Sequence, residues 1–327
     1  MEKSQALVHD AFGLPGEVIR LEERELGTPG VGEVLLRILA APVHPSDFGM
    51  ILGKYGSLPT LPAVAGREGV AEIAEVGEGV TDYAIGERVL VPKGAGAWQS
   101  TVVVQAEGLF RLPADVPVEM AAMATINPPT AWRVLRDAHL SEGEWVVQNA
   151  ANSAVGLHVI EMAKHLGLKT INVVRREELV EPLKEMGADH VVLEDSGYEK
   201  QVKELTNGEP VKLALNSIGG ESAIRLVRSL SEGGTHVTFG AMQFEKIRFP
   251  TRELIFNDIH MKGFWMDKWM RSHSTARIQI MFDKIFDLMI KGIVFASVDS
   301  TYPISEYKAA FERAGQPRMG KVLFRLG

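Results

Sequence analysis

Residues 145–177, WVVQNAANSAVGLHVIEMAKHLGLKTINVVRRE, decide the fold of this chain. The stretch predicts an apolar strand at 145–148, a turn of small residues at 149–156, an amphipathic helix at 157–166 and a second apolar strand at 170–174. A strand that enters a tight turn and continues into a helix presents free backbone N–H groups and the positive end of the helix dipole. This arrangement predicts a site for the pyrophosphate of a dinucleotide.

Composition limits the class of protein. The chain has 327 residues, no cysteine and a formal net charge of −7. Two domains are expected at this length, and the acidic balance offers no basic surface to nucleic acid, so small molecules are the expected partners. No apolar run approaches the ~18 residues of a membrane span, and the N-terminus has no signal-peptide core. We expect a cytoplasmic protein, or a mitochondrial matrix protein if a presequence was trimmed.

The first third of the chain contains several short segments with the residue pattern of β-strands. Gly, Pro and acidic turns separate runs that predict strands, at 33–40, 69–76, 88–91 and 98–104. Several short strands at this spacing indicate a partly open, mainly antiparallel β-barrel. We place the first part of a catalytic domain at 1–120.

Alternating helices and strands follow, beginning with a helix predicted at 120–138. Repeated strand, crossover and strand units are typical of an α/β fold with a doubly wound parallel Rossmann sheet. We place this nucleotide-binding domain at 121–268 and a C-terminal return to the catalytic domain at 269–327.

Two arginines follow the second strand of the opening stretch, about 20 residues past the turn. An NAD-binding protein would place an acid here for the ribose hydroxyls, whereas Arg175 and Arg176 suit the 2′-phosphate of NADPH. The competing interpretation is a pair of solvated arginines at a strand end. The turn itself departs from a strict G-x-G-x-x-G pattern, and Gly156 stands where the helix must pack close to the strand.

A zinc site built on thiolates is excluded because the chain has no cysteine. In zinc alcohol dehydrogenases the stretch comparable to Gly66-Arg67-Glu68-Gly69 carries a His ligand, and Arg67 takes that position here. A site made from His44, Glu68 and water is a poor alternative, so we predict no metal. We expect Glu68 to be a structural carboxylate paired with Arg67.

Without a metal, hydrogen-bond donors must polarise a substrate carbonyl. The first domain offers Ser46, Asp47 and Tyr55, and Tyr55 lies in the glycine-flanked loop Gly53-Lys54-Tyr55-Gly56, which would expose its hydroxyl. A phenol can donate a hydrogen bond to a developing enolate. A tyrosine ring packed on a loop explains the sequence equally well, and His44 is ambiguous in the same way.

Two later strands end in segments that could reach a ligand, because ligands of open parallel sheets lie at the carboxyl ends of strands. These segments are 239–242 (FGAM) and 263–266 (GFWM). We expect them to line the nicotinamide side of the cleft, and ordinary core strand ends are the alternative.

Motifs along nearly the whole chain resemble those of the zinc-independent medium-chain dehydrogenase/reductases. They are LAAPVHPSDFGMILGKYGSLPTLPAVAGREGVAEIAEVG, NPPTA, QNAANSAVG, INVVRRE, LALNSIGG, TFGAM, GFWM and MGKVLF. The resemblance is closest to the trans-2-enoyl thioester reductases of mitochondrial fatty acid synthesis and weaker to quinone oxidoreductases. Two departures are His44, where the family usually has Asn, and Ala154, where it usually has Gly.

The resemblance implies a GroES-like catalytic domain, a Rossmann domain, an active site between them, and a homodimer joined through the last strand of the nucleotide-binding domain. It also implies NADPH-dependent reduction of trans-2-enoyl thioesters of CoA or acyl carrier protein, without metal and with Tyr55 as the catalytic tyrosine. The implied NADPH contacts are Asn127, Asn152, Ser153, Ala154, Val155, Arg175, Arg176, Phe239, Gly240, Ala241, Met242, Phe264, Trp265, Met266 and Lys321. The alternatives are a reductase of quinones or other activated alkenes and a non-catalytic NADPH-binding sensor or structural protein.

Overall fold

The chain forms two compact units in a computed structural model, which describes residues 2–195, 197–242, 245–248 and 250–327. The first unit comprises residues 1–126 and 273–327, and the second comprises residues 127–272. The second unit begins and ends a few residues later than the nucleotide-binding domain that we predicted at 121–268.

The elements are given in chain order. The first unit begins with β1 (Glu2–His9), α1 (Pro15–Val18), β2 (Arg20–Leu26), β3 (Glu33–Pro42), α2 (Pro45–Ile51), β4 (Ala63–Val64), β5 (Val70–Val76), β6 (Arg88–Leu90), β7 (Thr101–Gln105) and α3 (Val118–Ala122). The second unit contains α4 (Asn127–Arg136), β8 (Trp145–Gln148), α5 (Ala154–His165), β9 (Lys169–Val174), α6 (Val180–Glu185), β10 (His190–Leu193), α7 (Tyr198–Leu205), β11 (Val211–Asn216), α8 (Gly220–Ser229), β12 (Thr235–Thr238), α9 (Thr251–Phe256), β13 (His260–Gly263) and α10 (Met266–Arg271). The chain returns to the first unit with α11 (Thr275–Ile290), β14 (Val298–Pro303), α12 (Tyr307–Gly315) and β15 (Lys321–Arg325).

The sheets of the first unit are mainly antiparallel, as predicted. β1 pairs with β2 and β4, while β3 pairs with β5, β7 and β15. β14 lies parallel to β15. The segment that precedes β7 is attached to β1 of the first sheet, because Leu7 N donates to Trp98 O at 2.9 Å. The shared core of the two sheets holds the fully buried rings of Trp98 and Phe324, whose centroids are 5.4 Å apart.

The second unit contains a parallel sheet with the strand order β10-β9-β8-β11-β12-β13. This order corresponds to 3-2-1-4-5-6 within the unit, which is the strand order of dinucleotide-binding folds. Successive strands are added on one side of β8 up to β10 and on the other side from β11 onward, so the topological switch point lies between β8 and β11. The predicted doubly wound Rossmann sheet is therefore confirmed. The turn of the opening stretch follows β8, so it lies at this switch point, where such folds bind their ligands.

The helix predicted at 120–138 is wrong as a single element. The chain instead forms α3 and α4, which are separated by residues 123–126. Pro128 and Pro129 cannot donate a backbone hydrogen bond and would clash with the preceding turn inside a continuous helix. Both prolines are tolerated in the first turn of α4, where N–H groups have no partner within the helix in any case.

No helix in the described part of the chain has the length and hydropathy that crossing a lipid bilayer requires.

Candidate active site

In the turn after β8, the start of α5 lies very close to the backbone of Ala150 and Ala151. Ser153 caps the helix, because its Oγ accepts a hydrogen bond of 3.2 Å from Gly156 N, and α5 begins at Ala154, earlier than predicted. A Cβ atom on Gly156 would lie 2.5 Å from the carbonyl oxygen of Ala151. Only glycine permits this approach, as the sequence predicted. Ala154 is not among the residues with positive φ, so the alanine is tolerated there.

A buried amide group holds the turn in place. Asn149 Nδ2 donates to Asn216 Oδ1 at 2.8 Å and to Ser222 Oγ at 3.0 Å. Asn149 Oδ1 accepts from Ser217 N at 2.9 Å. The turn after β8 is thus attached to the end of β11 on the other side of the switch point. Sequence reasoning missed this role, because the partners lie more than sixty positions apart.

A pocket of about 260 Å³ opens beside the turn. Its lining consists of Ala150, Asn152, Ser153, Val173, Val174, Arg175, Glu194, Ile218 and Met242. Four of these were predicted as NADPH contacts: Asn152, Ser153, Arg175 and Met242. Glu194 and Ile218 were missed, although they closely follow β10 and β11. The rule that ligands meet the carboxyl ends of parallel strands would have found both.

The two predicted phosphate-binding arginines differ in their surroundings. Arg175 is exposed and lines the pocket. Arg176 is directed to Glu178, with 3.0 Å between its Nη1 and Glu178 Oε1. Arg175 therefore has the better position to meet an anion in the pocket, while Arg176 would have to leave a carboxylate first.

The other predicted NADPH contacts of the second unit lie outside this lining. Ala154 and Val155 form the first turn of α5, and residues 239–241 directly follow β12. Phe264, Trp265 and Met266 follow β13, and Phe264 N donates to Thr238 O at 2.9 Å. The sheet thus gathers these segments at its carboxyl edge.

Asn127, the first residue of α4, is buried. Its Nδ2 has no hydrogen-bond partner within the described ranges. A buried donor without a partner is costly to a folded protein unless a ligand or water satisfies it.

Glu68 is the centre of a buried polar cluster in the first unit. Its Oε1 pairs with His44 Nε2, and its Oε2 accepts from Thr125 N at 2.9 Å and Thr125 Oγ1 at 2.5 Å. Burial acts to raise the pKa of Glu68, but His44 and the Thr125 hydroxyl bond outweigh it and hold this pKa below its usual value. Glu68 is therefore held by His44 and Thr125, and the expected pairing with Arg67 is wrong.

Two further ionisable groups belong to the same cluster. Asp47 Oδ2 accepts from His44 N at 2.7 Å, and burial raises the pKa of this carboxyl group. Burial lowers the pKa of the Lys321 amine to about 8, and the charge of Glu68 acts in the opposite direction. Lys321, which was predicted as an NADPH contact, lies on β15 of the first unit and is 8% exposed.

Tyr55 lies in the loop after α2, and its hydroxyl has a charged partner. Arg67 Nη1 donates to Tyr55 OH at 3.1 Å and to Ser46 Oγ at 3.0 Å. The guanidinium carbon is 4.6 Å from the centroid of the Tyr55 ring. Tyr55 therefore belongs to a polar group in the first unit that also contains Arg67 and Ser46. Sequence reasoning did not assign this role to Arg67.

Within the ranges that the structure describes, no three or more His, Asp or Glu side chains are grouped to hold a metal ion. The chain also lacks the cysteine ligands of sulfur-based zinc sites.

Known families match both parts of the chain. Residues 30–114 match the alcohol dehydrogenase GroES-like domain, and residues 154–283 match the zinc-binding dehydrogenase family. A human protein named mitochondrial enoyl-acyl-carrier-protein reductase is 39% identical over 320 residues, which cover 96% of this chain and 86% of that protein.

Solved structures extend the similarity to the whole fold. The mitochondrial 2-enoyl thioester reductase Etr1p/Etr2p heterodimer from Candida tropicalis has a TM-score of 0.91 and 26% identity, covering 99% of this chain and 100% of that one. A structure of Etr1p in complex with NADP and crotonyl-CoA has the same TM-score, identity and coverage.

Proposed function

We infer that this protein is an NADPH-dependent oxidoreductase, because the chain belongs to the enoyl reductase branch of the zinc-independent medium-chain dehydrogenase/reductases. Its reaction is the reduction of the carbon–carbon double bond of trans-2-enoyl thioesters. The observation that carries this conclusion is the likeness over nearly the whole chain to Etr1p, which was solved with NADP and crotonyl-CoA.

The second unit has the features that NADPH needs. The close approach at Gly156 packs the start of α5 against the turn, and the N–H groups and dipole of a helix start attract anions such as a pyrophosphate. We propose that Arg175 binds the 2′-phosphate, with Arg176 in a lesser role. Asn127 brings a buried amide donor without a protein partner in the described structure. When bound, NADPH supplies the hydride that reduces the substrate.

The remaining cofactor residues are proposed from family resemblance together with their positions. They are Asn152, Ser153, Ala154, Val155, Phe239, Gly240, Ala241, Met242, Phe264, Trp265, Met266 and Lys321. The pocket supports Asn152, Ser153 and Met242, which line it with Arg175. Lys321 has weaker support, because its amine is buried in the polar cluster of Glu68.

Tyr55 is the residue that we propose to act on the substrate. Its hydroxyl would donate a hydrogen bond to the thioester carbonyl oxygen, which becomes more negative as the double bond is reduced. Stabilising this charge lowers the barrier, because the bond is stronger in the transition state than in the ground state. The partners of the hydroxyl support such a role better than a ring that only fills a loop.

Replacement of Tyr55 by Phe tests this proposal. Loss of one donor to a developing oxyanion typically lowers the rate by about 10²–10³-fold. We expect a loss of this size in the turnover of crotonyl-CoA, measured as NADPH oxidation, with the Kd for NADPH unchanged. An unchanged turnover number would remove Tyr55 from the mechanism.

The acceptor is tested with the wild-type protein. A panel of enoyl-CoA and enoyl-acyl-carrier-protein substrates of increasing chain length is compared with quinones and enals. We expect the highest kcat/KM for an enoyl thioester. Preference for a quinone would make the chain a quinone reductase, and NADPH binding without turnover of any acceptor would leave only a binding protein.

We also propose a homodimer joined through β13. This strand forms the edge of the parallel sheet and is largely exposed. The preceding helix α9 exposes Ile255 by 67% and Phe256 by 69%. An unpaired strand edge beside exposed apolar side chains is suited to pairing with a second copy of the chain.

The human relative is named as a mitochondrial protein, so we propose the mitochondrial matrix rather than the cytoplasm as the location. Fractionation of cells that produce the protein would test this, and recovery from the cytosol alone would contradict it.

A further inference from the structure

We propose that Arg67 is a positioning residue that orients the Tyr55 hydroxyl as a hydrogen-bond donor to the substrate. This inference rests on the proposed function, because it concerns the step in which the thioester oxygen gains negative charge. The starting observation is the arrangement of Arg67 Nη1, which donates to Tyr55 OH at 3.1 Å and to Ser46 Oγ at 3.0 Å.

The direction of the hydrogen bond determines what Tyr55 can do. A guanidinium group has N–H donors and no acceptor. The Tyr55 oxygen must therefore accept in its bond with Arg67, and its own proton is not used there. That proton can be donated only to an acceptor other than Arg67, which in the reaction is the thioester oxygen. A donor bond from a cation also polarises the hydroxyl and strengthens the bond that it donates.

The ring of Tyr55 is constrained together with its hydroxyl. The guanidinium carbon of Arg67 lies 4.6 Å from the ring centroid, within the range of a cation–π interaction. The ring also approaches Gly49 in α2, where an added Cβ would lie 3.5 Å from Tyr55 Cδ2. Arg67 thus contacts both the face and the polar end of the same side chain.

Arg67 can act in this way because its backbone is fixed from both sides. Gly66 has φ +92°, and a Cβ there would lie 2.5 Å from the fully buried Trp98 ring. Glu68 is fully buried and bound to His44 and Thr125. The segment is anchored before and after Arg67, so its Cα atom has a defined position. The backbone entropy of Arg67 is lost on folding, and only its side-chain rotamers are ordered by the bond to Tyr55.

Arginine suits this task better than lysine. One nitrogen of the planar guanidinium presents two N–H groups in fixed directions, and both are used here. An ammonium group would keep the charge but not the planar geometry. Arg67→Lys should therefore restore only part of the effect.

A double-mutant cycle separates this role from a purely structural one. The variants are Arg67→Met, Tyr55→Phe and their combination, with Arg37→Met as the matched control. Arg37 is an exposed arginine of the same unit, 3.6 Å from Glu72. Methionine keeps the apolar part of the arginine side chain and removes its donors. NADPH affinity and thermal unfolding are measured for each variant.

We expect Arg67→Met to lower the kcat for crotonyl-CoA by about ten- to a hundredfold, the scale of one hydrogen bond to a charged group. In the Tyr55→Phe background the same change should cost less than about threefold, since no hydroxyl remains to be oriented. The Kd for NADPH should stay within about twofold, and Arg37→Met should match the wild type. If Arg67→Met does not fold, the cycle is run with Arg67→Lys, for which we expect a smaller loss that also disappears in the Tyr55→Phe background.

Equal losses in both backgrounds would overturn the role of Arg67 and leave enoyl thioester reduction intact. If the wild type turned over no enoyl thioester at all, the proposed function and this inference would both be overturned. The two failures are therefore distinguishable in one set of assays.

Discussion

Replacing Arg175 by alanine should weaken the binding of NADPH much more than that of NADH, and replacing Arg176 should have a smaller effect. Both residues were predicted to bind the 2′-phosphate. Only Arg175 lines the pocket, and it is exposed. The difference between the two arginines therefore tests which of them binds the 2′-phosphate as well as cofactor choice.

The magnitudes follow from the partners of each guanidinium. A hydrogen bond to a charged group contributes about 1.5–3 kcal/mol, which corresponds to about 10- to 150-fold in the Kd for NADPH. Arg176 must first give up its bond to Glu178, and the two side chains are 39% and 64% exposed. Such an exposed pair is worth about 0–1 kcal/mol. The loss on Arg176→Ala should accordingly be up to about fivefold smaller than that on Arg175→Ala.

Titration of the reduced cofactor, followed by nicotinamide fluorescence at constant ionic strength, would measure these affinities. Constant salt matters because exposed charges are screened. Glu178→Gln is the matched variant: it removes the competing charge, so NADPH affinity should rise by up to about fivefold while NADH affinity stays the same. Equal losses for NADPH and NADH on Arg175→Ala, or a larger loss on Arg176→Ala, would refute the reasoning.

Two other predictions concern assembly and stability. Phe256→Lys should turn the proposed dimer into a monomer, because it places a charge in a face that two chains would bury; sedimentation equilibrium measures this, and an unchanged dimer would contradict the interface. Burial lowers the pKa of His236 from 6.5 to about 4, so the unfolded chain binds this proton more readily than the folded chain. Stability should fall as the pH drops from 6.5 through 4, by up to about 3 kcal/mol from this group. Urea unfolding of His236→Leu should show a smaller loss over that range, and an equal loss would exclude His236 as its cause.

The parallel sheet was predictable because its signals are local. Each strand is a short apolar run between turn residues, and the strand at 145–148 was predicted with the bounds that the structure has. Helix starts were less accurate, since α5 begins at Ala154, three residues before its prediction. The single helix predicted at 120–138 does not form, because Pro128 and Pro129 lie in the first turn of a separate helix, α4.

The polar cluster of the first unit was not predictable in detail. Glu68 reaches His44 and Thr125, which are 24 and 57 positions away in the chain. The neighbouring Arg67 was the obvious partner in the sequence, but it reaches Tyr55 and Ser46. Residues 66–69 lie between β4 and β5, and the chain bends at Arg67, so two adjacent side chains meet different partners and closeness in sequence was a poor guide to pairing.

The sequence by itself determined the class of this protein. A strand, turn and helix with Gly156 at the close approach specify a dinucleotide site, two arginines favour the phosphate of NADPH, and the absence of cysteine excludes a thiolate zinc site. These conclusions depend on residue types at short spacing. Tertiary structure alone decided that Arg175 lines the pocket while Arg176 meets Glu178, and that Arg67 donates to Tyr55. Hydrogen bonds act over about 3 Å in defined directions, so only the folded backbone determines which donor meets which acceptor.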